Sequence, residues 1–230
     1  MIGGAGNNMD GDNEGPEIKS YLNDENFANG GISNENPVLI IKLSDSSGIN
    51  TVGTGIGHDI VATLDNDNRQ FFILNDFYEG DLDSYQRGVV RFQLPELKPG
   101  LHTLKIKAWD VLNNSSEMML DFSVARDEEL ELSHILNYPN PFTTKTQFWF
   151  EHNKPGQELY VRLQVFTLSG RVIKVIQKAI NTPGNRSSEL EWDGRDEYGD
   201  KVGRGVYLYK LSVTAPGKLK KEKIEKLVIF

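Results

Sequence analysis

The residues with the best claim to chemistry are few. His58 precedes Asp59, and Ser46 and Ser47 lie upstream, so the three residue types of a serine hydrolase share one stretch. A nucleophilic serine of that kind sits on a strained Gly-x-Ser-x-Gly elbow, and neither serine has one, so a local loop bond is the role expected for His58. The run Asp10-Gly11-Asp12-Asn13-Glu14-Gly15 puts oxygen donors at alternate positions before a glycine, as the first half of a calcium loop does. Tyr21 stands where the bidentate acid belongs, which excludes an EF-hand and leaves at most a surface calcium ion. Asp65-Asn66-Asp67-Asn68 and the Trp192 to Val202 loop offer similar oxygens, but their composition favours turns. Gly53-Thr54-Gly55-Ile56-Gly57 lacks the lysine and following helix of a phosphate loop. His102, His134 and His152 are isolated, with no second ligand at metal spacing, and read as half-exposed surface residues. Cysteine is absent, which removes disulfides, thiolate metal sites and thiol nucleophiles together. No catalytic residue, cofactor or metal is therefore expected, apart from that surface calcium.

What must position these residues follows from composition. The 230 residues predict one or two domains, and 38% hydrophobic with 10% aromatic residues suffice for a core in each. A mean hydropathy of -0.45, with no apolar run near the roughly 18 residues needed to cross a bilayer, argues against a transmembrane helix. A net charge of -8 is the wrong sign for a surface that tracks phosphates, so no nucleic-acid partner is expected. The charge is unevenly spread. Residues 1–132 hold 23 acidic and 9 basic side chains, whereas 133–230 hold 10 and 16. The change falls in Arg126 to Ser133, read as a short linker, and places a boundary near Glu131 between domains 1–130 and 131–230. The Gly- and Asn-rich start lacks the basic and apolar regions of a signal peptide, so the chain is expected to be the C-terminal piece of something longer.

No stretch carries helical periodicity over three turns, whereas short alternating runs bounded by Gly, Pro, Asn and Asp recur about every ten residues. The expected fold is all-β, two tandem immunoglobulin-like β-sandwich domains. Strands are expected at Glu17–Leu22, Val38–Leu43, Asp59–Leu64, Phe71–Leu74, Val89–Leu94, His102–Trp109 and Met118–Val124 in the first. The second has Gln147–Glu151, Leu159–Thr167, Val172–Gln177, Ser188–Trp192, Gly205–Thr214 and Lys220–Phe230. His102–Trp109 is expected to pair with Val89–Leu94 across the Pro95 to Gly100 turn. Gly170 turns one hairpin and Pro216-Gly217 another. Trp109, Trp149 and Trp192 fall inside strand patterns and are expected in the core.

Several motifs have physical roles of their own. Pro139 and Pro141 restrict Tyr138 and Asn140, so Pro139-Asn140-Pro141-Phe142 should be a rigid clasp that seats Phe142 as a plug. After Trp192, Asp193-Gly194 turns the chain, and Asp193 and Asp196 can accept backbone N–H bonds in a loop closing at Gly199. Gly205 opens a strand on which Tyr207 and Tyr209 share one side, facing the core or a partner. Lys218, Lys220, Lys221, Lys223 and Lys226 concentrate positive charge on a terminal edge strand, which suits anionic glycolipid or an acidic partner and offers a template for strand addition.

Four ordered motifs span 137 to 211: Asn137-Tyr138-Pro139-Asn140-Pro141-Phe142, Leu163 to Ile173, Trp192 to Val202, and Gly205-Val206-Tyr207-Leu208-Tyr209-Lys210-Leu211. Together these resemble the FlgD-type immunoglobulin-like repeat and the C-terminal sorting domains of the type IX secretion system of Bacteroidetes. In the first half, Gly15-Pro16-Glu17-Ile18, Tyr21-Leu22-Asn23-Asp24, Leu43 to Asn50, Gly57-His58-Asp59-Ile60 and Ala108 to Ser116 are similar to the region that follows the catalytic domain in the PorU-like family of gingipain-related sortases. The resemblance implies a parent that is a cysteine endopeptidase at the cell surface, associated with the outer membrane after export through the periplasm. Its His and Cys would lie upstream of this sequence. It further implies a non-catalytic region that mediates export, surface anchoring and docking to outer-membrane components of the type IX secretion and attachment complex, with anionic lipopolysaccharide as another partner. The alternatives are the sorting domain of a type IX cargo protein, cut after export near Glu128, and a carbohydrate-binding or adhesive sandwich.

Overall fold

The computed structural model describes residues 12–52 and 57–230, and its regular structure is strand apart from single 3-10 turns at Asn75–Phe77 and Pro216–Lys218. The first part of the chain forms two sheets. One contains β1 (Glu17–Leu22), β3 (Val38–Ser44), β6 (Tyr78–Gly80) and β7 (Arg87–Gln93), in the order β1-β3-β7-β6. The other contains β2 (Ile32–Ser33), β4 (Val61–Leu64), β5 (Phe71–Ile73), β8 (Gly100–Trp109) and β9 (Ser115–Val124), in the order β2-β9-β8-β4-β5. The period of two along each strand decides what is buried. On β8, Leu104, Ile106 and Ala108 are fully buried, while Lys105 and Lys107 on the other face pair with Glu117 at 2.8 and 3.5 Å. The expected pairing of His102–Trp109 with Val89–Leu94 does not occur: β7 and β8 lie in different sheets, and the Pro95 to Gly100 stretch carries the chain from one to the other. Both strands still bury alternate residues, Val90 on β7 and Leu104, Ile106 and Ala108 on β8.

The second part builds two further sheets from β10 (Leu132–Tyr138), β11 (Thr146–His152), β12 (Glu158–Thr167), β13 (Val172–Asn181), β14 (Arg186–Trp192), β15 (Gly205–Ala215) and β16 (Leu219–Ile229). Their orders are β10-β11-β14 and β13-β12-β15-β16. Leu159, Val161, Leu163 and Val165 of β12 face Leu211, Val213 and Tyr209 of β15 in a core that also takes Phe148, Phe150, Leu190, Trp192 and Leu227. The hairpin turns fall as the sequence predicts: Gly170 has φ +89 and Gly217 φ +75, conformations a β-carbon disfavours. By contacts the chain divides into two compact units. One runs to Ser20 and takes in Leu39–Phe92 and Thr103–Leu120, and the other comprises Tyr21–Val38, Gln93–His102 and Asp121–Phe230.

Three side chains depart from expectation. Trp192 is core, but Trp109 and Trp149 lie on the outward side of strands whose alternate residues fill the interior. The Lys107 ammonium and the Arg186 guanidinium each cover one of these rings at 4.7 Å. His152, read as half-exposed, is completely buried at the end of β11. The Lys154 N–H donates to His152 Nδ1 (3.2 Å), so the ring is neutral with its proton on Nε2, which donates to Thr182 Oγ1 (3.0 Å). Burial lowers its pKa to about 4.

The stretch read as a linker is likewise not free. Asn153 Nδ2 donates to the Arg126 and Glu129 carbonyls at 2.9 Å each, Asn153 Oδ1 accepts the Glu131 N–H, and the Lys154 ammonium reaches the Asp127 carbonyl. A strand then begins at Leu132.

Candidate functional site

The motif residues at 137 to 142 converge on the end of the second unit where the chain terminates. Asn137 Nδ2 donates to Thr146 Oγ1 (3.0 Å), and that hydroxyl donates to the Pro139 carbonyl (2.8 Å). Asn140 Nδ2 donates to Asn137 Oδ1 (3.1 Å) and to the Lys226 carbonyl (3.2 Å), and Asn140 Oδ1 accepts the Val228 N–H (3.0 Å). Its amide thus takes the place of a neighbouring strand for β16. Phe142 continues the pairing through its own backbone, donating to Val228 O (3.1 Å) and accepting from Phe230 N (2.9 Å). Both X-Pro bonds, before Pro139 and before Pro141, are cis. The Phe142 ring is 3% exposed and meets Trp192 edge-on at 5.7 Å between centroids. Asn140→Ala is expected to lower stability by about 1 kcal/mol, measured by urea unfolding, because the Val228 N–H and Lys226 carbonyl then rely on water.

The Trp192 loop is closed by its own polar groups. Asp193 Oδ1 accepts from Arg195 N (3.1 Å), while Asp196 Oδ1 accepts from Tyr198 N (2.9 Å) and Asp200 N (3.0 Å). Trp192 Nε1 donates to the Arg195 carbonyl (2.8 Å), and the Arg195 guanidinium reaches the Gly199 carbonyl (2.7 Å). Gly194 sits at φ +72, and a β-carbon there would touch the Phe142 ring at 3.4 Å, so clasp and loop form one packed assembly. Tyr207 packs against the core with its hydroxyl on the Gly203 carbonyl (2.8 Å), while Gly205 has φ +154 at the start of β15.

The five lysines at 218 to 226 are divided between a turn and the two faces of the last strand. Lys218 occupies the turn, Lys220 and Lys226 lie in register with Thr214 and Leu208, and Lys221 and Lys223 lie in register with Val213 and Leu211 on the opposite face. Period-two alternation divides any run of like residues on a strand in this way. Lys221 pairs with Glu131 and Lys220 with Glu222, at 2.8 and 2.7 Å. The Lys220 ammonium, with the Ser212 hydroxyl, holds the Glu222 carboxyl down to about 2. Lys218, Lys223 and Lys226 have no acidic partner among the described residues.

The outer face of the same sheet carries a shallow groove of about 570 Å³, lined among others by Tyr160, Arg162, Gln164, Gln177, Lys210 and Thr214. Tyr160 is 60% exposed, and Arg162 has no acidic partner among the described residues. Hydroxyl, amide and guanidinium groups on rigid strands can hydrogen-bond a polyol, with one ring available for stacking.

In the first unit the structure assembles a group that local spacing does not reveal. Ligand oxygens of Asp12, Asp45 and Asp110 lie within 4.8 Å of one another, Asp110 being wholly buried. Asp110 accepts from Asn114 N and Nδ2 at 2.7 Å each, Ser46 donates to Asp12 (2.7 Å), and Ser47 donates to Asp45 (2.6 Å). Carboxylates so placed are the donor type a hard cation takes. Of the acidic stretch read as half a calcium loop, Asp12 belongs here, whereas Asp10 and Gly11 lie outside the described residues, as do Gly53 to Ile56 of the glycine loop. Asp67 instead bonds Arg69 at 3.1 Å in a turn. The imagined triad does not form among the described residues: the His58 ring lies against Trp109 at 4.2 Å between centroids, tilted by 35°, and Ser47 bonds carboxylates.

No family model matches the chain, and no curated protein matches it. Among solved structures, the chain is similar to dimeric latent PorU from Porphyromonas gingivalis, at 29% identity over 95% of this chain and 20% of that one, with a TM-score of 0.49. It is also similar to CopC from Methylosinus trichosporium OB3b, at 17% identity over 49% of this chain and 100% of that one, with a TM-score of 0.30. A third similarity is to Salmonella alpha-2-macroglobulin reacted with methylamine, at 12% identity over 94% of this chain and 15% of that one, with a TM-score of 0.32. The chain therefore spans about one fifth of the length of the first of these proteins.

Proposed function

We propose that this chain is the non-catalytic C-terminal region of a PorU-like type IX secretion sortase, and that it mediates export, anchors the parent at the cell surface and docks it to outer-membrane partners. The observation that carries the reading is the set of four motifs between 137 and 211, whose first and third members pack together as the Phe142 clasp and the Trp192 loop at the chain's C-terminal strand. Sequence likeness and a shared packing role at one end of a sandwich together favour a recognised module over four chance matches. Anionic lipopolysaccharide is part of the proposal through Lys218, Lys223 and Lys226, which have no acidic partner among the described residues.

The purified 230-residue chain, immobilised and exposed to outer-membrane extract of a type IX-competent bacterium, is expected to retain named components of that secretion complex and to cleave no peptide by itself. Retention of none of them, or intrinsic peptidase activity, would overturn the reading.

A second reading is supported by the outer-face groove, where Tyr160 and Arg162 stand among amides and hydroxyls: a carbohydrate-binding surface. A glycan array separates the two. Binding that Tyr160→Ala abolishes would favour this reading, and an array without hits would remove it.

A further inference from the structure

Strand β16 is the edge of its sheet, and its two halves are in different states. In an antiparallel pair the N–H and C=O groups of alternate residues turn toward the neighbour, and those between turn away. On β16 the outward groups belong to Lys226, Val228 and Phe230, since these meet Asn140 and Phe142. The same alternation turns the groups of Lys220, Glu222 and Ile224 outward. Among the described residues nothing hydrogen-bonds them. The molecule thus completes one half of this edge with its own segment, in parallel pairing at Phe142 and Ile229, and leaves the other half open.

We propose that the open half, Leu219 to Glu225, accepts an extended acidic segment of a partner protein as an added strand. The proposal deepens the docking reading above and rests on it. Backbone groups supply the pairing: seven residues at about 3.3 Å each give an edge roughly 20 Å long, enough for a short strand. Charge supplies the choice of partner. Lys218, Lys223 and Lys226 flank the opening without acidic partners among the described residues, so carboxylates on an incoming strand find cations not already neutralised. Ile224, 56% exposed on this edge, calls for an apolar residue opposite it, and Lys223 on the other face calls for an acid, which makes the complementary pattern an alternation of acidic and β-branched residues. Edge lysines commonly guard against association. Here the two effects act together: the lysines repel a second copy of the same edge while admitting an acidic strand, which is discrimination by charge.

The test uses the full chain and the peptide Asp-Val-Asp-Val-Asp-Val-Asp, with binding followed by calorimetry at low salt. Binding is expected, and a Lys-Val peptide of the same length is expected not to bind. N-methylation of the acidic peptide at one set of alternate residues should weaken it at least tenfold, because those N–H groups face β16, while methylation of the other set should leave it nearly unchanged. Glu222→Pro removes an outward donor and no backbone bond to β15, and should weaken binding by a similar factor relative to Glu222→Ala, which loses the same carboxylate contacts with Ser212, Lys210 and Lys220 but keeps the N–H. Lys218→Gln, Lys223→Gln and Lys226→Gln combined should reduce both affinity and its salt dependence. Absence of binding, or equal affinity for both N-methylated peptides and the parent peptide, overturns strand addition. If the full-length protein with Glu222→Pro still retains its outer-membrane partners, edge pairing fails and the docking reading survives.

Discussion

Phe142→Ala is expected to destabilise the second unit by about 3–5 kcal/mol, the largest loss from any single truncation considered. The ring is 3% exposed and fills the space between Trp192 and Gly194. Its removal therefore leaves a cavity at a place where the neighbours cannot collapse. Gly194 has no side chain to move in, and Trp192 is held by its indole N–H on the Arg195 carbonyl. The edge-to-face contact itself contributes about 0.5–1.5 kcal/mol of that total. The effect is local to the clasp, because the Phe142 backbone also pairs with Val228 and Phe230 and frays once the ring no longer holds it. Urea unfolding measures the loss, followed by Trp192 fluorescence in a chain carrying Trp109→Phe and Trp149→Phe. Phe142→Leu, which keeps most of the volume, should recover more than half of it. A loss below about 1 kcal/mol for the alanine variant would mean that the motif does not seat a plug.

The second large effect is on pH. His152 is neutral in the folded chain with its pKa lowered to about 4 by burial, against an unfolded value near 6.5. The unfolded state therefore binds a proton more readily over this window, so stability falls as pH falls from about 6.5 to about 4 and is unaffected by this group above it. The difference amounts to roughly 3 kcal/mol. The structural cause is that Nδ1 accepts the Lys154 N–H, a bond a second proton would destroy, while Thr182 occupies the other nitrogen. Burial also pushes the Lys154 ammonium below its ordinary pKa, so the surroundings already hold a costly charge. The urea midpoint at pH 7.5, 6, 5 and 4.5 should fall steeply for the native chain and more shallowly for His152→Gln. Carboxylate titration is common to both chains, so parallel curves would refute the assignment.

How much of this was legible in the sequence depends on whether a feature follows from period two alone. Strand positions do, because Leu159, Val161, Leu163 and Val165 must share a face wherever the strand lies. The turns at Gly170 and Gly217 follow from their conformational demand. Sheet membership does not: nothing local tells β7 and β8 that the Pro95 to Gly100 stretch crosses to another sheet rather than closing a hairpin. Strand β10 begins inside the stretch that reads as a linker, and only Asn153 and Lys154, more than twenty residues away, reveal that the residues preceding it are bonded. His152 reads as a surface residue because histidine tolerates water, and its burial is set by Thr182 and the turn at Lys154. The lysine run reads as positive charge on one edge, and the strand divides its members between the two faces of the sheet, a split that composition does not show. The acidic group of Asp12, Asp45 and Asp110 joins residues that only the fold brings together, so no motif could have announced it.

In the proposed role this region stays attached to a sortase-like parent and holds it at the cell surface. The most direct measurement is an immunoblot of intact-cell surface fractions with an antibody against residues 131–230. A single band at the mass of the whole parent, resident in the outer-membrane fraction, is expected. A free fragment cut near Glu128, with the remainder of the parent found without it, would rule out the anchoring role and identify a cargo sorting domain instead.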